Sequence, residues 1–70
     1  MKDRITLIPQ NDAEWLLLAR KRLNLSQVEL GGKINYTTVT ISRVEQGYVP
    51  MSKTLRAKVE KLLIDQGESI

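Results

Sequence analysis

Residues 25–47 read LSQVELGGKINYTTVTISRVEQG, and the order of caps, apolar positions and turn residues in this stretch decides the fold. Ser26 is an N-cap, and Glu29 three residues on completes a capping box, so a helix is expected to open at Gln27. Val28, Leu30 and Ile34 supply its apolar positions. Gly31 and Gly32 lie inside it, where each costs about 1 kcal/mol relative to Ala. That cost is tolerable if a neighbouring helix approaches closely there. Asn35 accepts the left-handed conformation that a tight turn demands, and Tyr36 is apolar enough to plug the turn into the core. Thr37 caps the next helix, which runs to about Gln46 with Ile41 and Val44 as its buried stripe; Gly47 ends it. The stretch is therefore helix, tight turn, helix, and the second helix opens on small hydroxyl side chains.

On the N-terminal side, Asn11 and Glu14 form a second capping signal, and a helix is expected from about Asp12 to Leu23. Leu16, Ala19, Arg20 and Leu23 share one face, while Trp15 and Leu18 add a second apolar strip. Such a helix is more hydrophobic around its girth than one buried face needs. Arg20, Lys21 and Arg22 gather at its end, where positive charge suits the helix dipole. On the C-terminal side, Tyr48, Val49 and Pro50 make a loop, and Ser52 caps a helix through about Ile64 with Leu55, Val59, Leu62 and Leu63 inward. Upstream, RITLI at residues 4–8 stops at Pro9 and reads as a short strand or extended arm. The expected organisation is an arm over 1–10, a helical domain over 11–65 and a flexible tail over 66–70. The fold class is all-α and compact, with four helices and a fifth as the alternative.

Seventy residues suit one domain near the lower limit for a self-sufficient core. The chain has neither Cys nor His, which excludes a disulfide framework, the usual zinc ligand sets and the commonest general base. Its carboxylates are scattered, so an enzyme is the least supported class and no cofactor or metal is expected. MKDRITLIPQ lacks a long apolar run, so neither signal peptide nor membrane span is expected, and a cytoplasmic protein is. The net charge of +3 permits nucleic-acid binding without proving it. From Lys33 to Lys58, five basic residues stand against one acid, Glu45, leaving +4 in that stretch.

A helix that enters the major groove needs short side chains at its N-terminal end. Thr38, Val39 and Thr40 meet that need: the methyl groups suit thymine methyls and the hydroxyls suit base edges or phosphate. Arg43, about one turn further on, has the reach for guanine O6 and N7. With Ser42, these are the candidate base-contacting residues. Helix N-termini near Gln27 and Ser52 offer N–H groups to phosphate, and Lys53 adds charge to one of them.

The pieces ARKRLNLSQVEL, TTVTISRVEQG, the loop ending at Pro50 and KTLRAKVEKLL together resemble the Cro/repressor-type helix-turn-helix of the XRE family, common in phage and plasmid regulators. The likeness covers about Trp15 to Leu63. It implies a lambda-repressor-like fold, a double-stranded DNA operator and a homodimer on it. It assigns Gln27 to a phosphate contact that also buttresses the reading helix. It assigns Thr38, Val39 and Arg43 to bases, Gln46, Tyr48 and Lys53 to the DNA backbone, and Arg20 with Glu45 to a buried ion pair joining the first and third helices. Gly31 stands where relatives usually carry Ala, Asn35 replaces the usual turn Gly, and the fifth helix by which many relatives dimerise is not evident.

Several residues carry two readings. Tyr48 is a phosphate contact or a loop anchor, and Arg43 a base contact or a solvated helix face. Trp15 and Leu18 close a small core or, with Ile5 and Leu7 of the arm, form a protein interface. The functional expectation is a sequence-specific transcriptional regulator reading a two-fold operator. The alternative is an antirepressor or antitoxin-type module whose main partner is a protein, such as a repressor or toxin.

Overall fold

The structure, a computed structural model, describes residues 11–68. The expected arm, with Ile5 and Leu7, lies outside the described residues. Four helices follow one another: α1 (Asp12–Leu23), α2 (Gln27–Ile34), α3 (Thr38–Glu45) and α4 (Lys53–Asp65). Among the described residues there is no strand.

Each helix starts where a short polar side chain relieves the unpaired N–H groups of its first turn. Asn11 Oδ1 accepts from the Glu14 N–H at 2.9 Å, Thr37 Oγ1 from Thr40 at 3.2 Å and Ser52 Oγ from Leu55 at 3.0 Å. Ser26 and Glu29 make the full reciprocal box, at 3.0 and 2.8 Å.

All four helices end by one device. A residue with positive φ (Asn24 59°, Asn35 62°, Gly47 81°, Gly67 74°) reverses the chain. The next N–H then bonds five residues back: Leu25 to Arg20 O, Tyr36 to Gly31 O, Tyr48 to Arg43 O and Glu68 to Leu63 O, all within 2.8–3.1 Å. This is the Schellman closure. Residues 66–68 form the hydrogen-bonded end of α4.

The core takes Trp15, Leu16 and Ala19 from α1, Leu30 and Ile34 from α2, Ile41 and Val44 from α3, and Leu55, Val59 and Leu63 from α4. Helix α1 packs on α3 and α4, and α2 packs on the same two helices, so α3 is held from two sides. Truncating any of the fully buried Leu16, Leu30, Ile41 or Leu55 to Ala is worth about 2–5 kcal/mol.

Trp15 takes the first of its two readings: it is a core residue, 6% exposed, with the Arg56 guanidinium 4.2 Å over its ring. Leu18, its proposed companion, is partly buried. Val28, read as an inward position, is 69% exposed because it lies off the Leu30–Ile34 stripe. The tightest approach at Gly31 comes from the turn: a Cβ there would stand 2.5 Å from the Tyr36 carbonyl oxygen, with Ile41 Cδ1 of α3 in ordinary contact at 3.5 Å. Gly32 meets nothing within 4 Å. No helix among the described residues is long and apolar enough to cross a membrane.

Candidate nucleic-acid interface

With Ile41 and Val44 turned into the core, the residues left outward on α3 are Val39, 58% exposed, and Arg43. They are four apart and so neighbours on one helix face. Around them a shallow depression is lined by Gln27, Thr38, Val39, Ser42, Arg43, Gln46 and Tyr48. Seven residues singled out in the sequence are thus brought to one surface. Ser42 Oγ accepts from Gln46 Nε2 at 2.6 Å, which leaves the Ser42 proton and the Gln46 carbonyl oxygen for another partner. Arg43 makes no ion pair or hydrogen bond through its side chain with the described residues. Tyr48 is exposed while its N–H closes α3, so the residue anchors the loop through its backbone and presents its ring to solvent.

Thr40 is not part of this lining. Its hydroxyl lies 3.0 Å from Thr37 Oγ1, because the N-cap hydroxyl draws in the residue three positions on. Its hydroxyl thus already has one partner within the cap of α3. Ser52 Oγ is likewise occupied as a cap, so what it leaves for a phosphate is the first turn of α4, where the Lys53 and Thr54 N–H groups have no intrahelical acceptor. Lys53 is exposed beside them.

Behind the depression, Glu45 holds three elements together. Arg20 Nε donates to Glu45 Oε2 at 2.7 Å, and Arg20 Nη2 and Gln27 Nε2 donate to Oε1 at 3.1 and 3.0 Å. Arg20 Nη1 also donates to the Leu25 carbonyl at 3.1 Å. The pair is largely removed from water, with side chains 17% and 7% exposed. Its charges are tolerated because both carboxylate oxygens are bonded and the guanidinium is held on two sides. One hydrogen of the Gln27 amide is committed to this hub; its carbonyl oxygen and second hydrogen remain at the depression.

Two other basic residues of the charged stretch serve the scaffold instead. Arg56 lies over Trp15 and pairs with Glu60 at 3.2 Å and Asp12 at 3.8 Å. Lys58 Nζ donates to the Ile34 carbonyl at 3.3 Å and sits 5.8 Å from the centre of the Tyr36 ring, closing the end of α2. No sequence spacing announces these partners, because long cationic side chains take them from the tertiary packing. Among acids, Glu29 has its carboxyl held below the usual range, first by the Ser26 backbone N–H and then by the Ser26 hydroxyl.

The family model described as helix-turn-helix matches residues 16–63, and the chain belongs to this helix-turn-helix family, of the XRE type. It is a DNA-binding helix-turn-helix regulator, in a family that is not normally enzymatic. No curated protein and no solved structure matches the chain.

Proposed function

We propose that the protein is a sequence-specific, double-stranded-DNA-binding transcriptional regulator of Cro/repressor type. It seats α3 in the major groove and reads a two-fold operator as a homodimer. The observation that carries this reading is the outward pairing of Val39 and Arg43 on one face of α3. An apolar branched side chain left largely in water beside a guanidinium without a partner among the described residues suits a surface that meets a thymine methyl and a guanine edge. Thr38 and Ser42 supply short polar contacts at the same face. Gln27, Gln46 and Tyr48 flank it, and the first turn of α4, with Lys53 exposed beside it, offers N–H groups and charge to a phosphate. Of the features that favour the protein-partner alternative, Trp15 lies in the core.

Selection of bound sites from random duplex DNA tests the reading. The expected result is a palindromic consensus with half-sites about one helical turn apart, roughly 10 base pairs centre to centre. A pool without enrichment would overturn it.

A further inference from the structure

A second group of positive charges lies away from the reading face. At the far end of α2, an open cleft runs between that helix and the second half of α4, bordered by Lys33, Lys58 and Lys61 with one acid, Asp65. Three cations less one carboxylate leave +2 there, whereas the depression on α3 contains a single cation, Arg43. The two surfaces share no residue. Ile34 and Leu62 make an apolar floor between the charges, and Leu62 is only partly buried. Lys58 is tied to the Ile34 carbonyl, but the Lys33 and Lys61 ammonium groups make no hydrogen bond or ion pair with the described residues.

We infer that this cleft is a docking site for an acidic, amphipathic segment of another protein. Carboxylates suit the Lys33 and Lys61 rim, and an apolar side chain between them covers Leu62. Duplex DNA fits less well, because a phosphate backbone has no apolar group for the floor. A regulator with such a site can hold DNA on α3 while a protein engages the opposite end of α2.

The test uses the isotope-labelled full chain and a short capped peptide of alternating glutamate and leucine, followed by amide chemical shifts. Shifts are expected at residues 33–35 and 58–65, with residues 38–46 unmoved. The double variant Lys33→Gln, Lys61→Gln alters two exposed side chains without setting a new acid beside Glu29 or Asp65. It is expected to weaken peptide binding about tenfold or more while leaving the thermal melt and DNA affinity in place. An oligoglutamate of equal charge is expected to bind more weakly, since it leaves the floor uncovered. The inference is overturned by any of four results: no shifts at millimolar peptide, shifts centred on α3, equal binding of oligoglutamate, or a variant that loses DNA affinity with a flatter salt dependence. The last would place the cleft inside the DNA footprint and leave the DNA-binding reading standing.

Discussion

Arg20 and Glu45, on α1 and α3, meet in a two-point pair with Nε–Oε2 at 2.7 Å and Nη2–Oε1 at 3.1 Å. The same carboxylate receives Gln27, so one acidic side chain sets where α3 stands relative to both helices that support it. Removing the acid leaves a largely desolvated guanidinium with the Leu25 carbonyl as its one partner among the described residues. Glu45→Ala is therefore expected to lower unfolding free energy by about 3–5 kcal/mol in urea titrations. Replacing both partners, Arg20→Met with Glu45→Leu, is expected to cost clearly less than the two single changes added together, because neither charge is stranded. Additive losses would mean that the pair does not act as a unit.

Gly31 and Gly32 are adjacent in one helix and are expected to respond in opposite directions. A methyl at Gly31 would lie 2.5 Å from the Tyr36 carbonyl oxygen, and that backbone is itself fixed by the Tyr36 N–H to Gly31 O bond at 3.0 Å. The turn has to move, so Gly31→Ala is expected to cost about 1–3 kcal/mol. Gly32 faces open space with no positive φ, so Gly32→Ala is expected to add about 0.5–1 kcal/mol from backbone entropy alone. Thermal melts of the two variants, read against the parent, decide it. A stabilising Gly31→Ala would show that the turn yields easily.

The contrast between these glycines also marks how far the sequence could be read. Caps and helix limits were legible because Asn11, Ser26, Thr37 and Ser52 act within three residues of themselves. The left-handed Asn35 and Gly47 are equally local. What was not legible depends on packing between distant segments. Either apolar strip of the first helix fits the periodicity; burial of Trp15 is decided by where α4 brings Arg56. Thr38 and Thr40 are alike in type and near neighbours in sequence, yet Thr40 gives its hydroxyl to the cap while Thr38 lines the depression. The charge of the 33–58 stretch counted Arg56 and Lys58 towards DNA, although the fold occupies both elsewhere.

Glu29 ties stability to pH through the α2 cap. Its carboxyl is held below the usual range by the Ser26 backbone N–H, the Ser26 hydroxyl and, last, the charge of Lys33. A depressed folded value means that the carboxylate's contribution is complete above the ordinary glutamate range, about 4.3, and is lost as pH falls through the lowered folded value. In an NMR titration, Glu29 is expected to protonate at lower pH than an unstructured glutamate. Ser26→Ala is expected to return it towards the ordinary value, since the hydroxyl bond is lost and the first turn of α2 is loosened. An unchanged Glu29 midpoint in that variant would assign the shift to the backbone N–H alone.

On the proposed reading of α3, Val39, Arg43 and Lys53 separate three kinds of contact. Arg43→Ala removes the one cation among the described residues of the depression and is expected to weaken binding to the selected operator by about 1–3 kcal/mol, with preference lost at one base position. Val39→Ser keeps the helix and its polar surroundings while deleting the exposed methyls; it is expected to narrow the discrimination of thymine from uracil at one position, because only the base methyl differs. Lys53→Ala acts on a side chain beside the first turn of α4, away from the bases. It is expected to weaken all sequences alike and to flatten the dependence of log K on log salt by about one phosphate's worth, close to 0.9. Competition binding against scrambled duplex at several salt concentrations distinguishes the three. If Arg43→Ala changed the salt slope but not the base preference, that side chain would belong to the backbone contacts, and the reading of sequence would pass to Thr38, Val39 and Ser42.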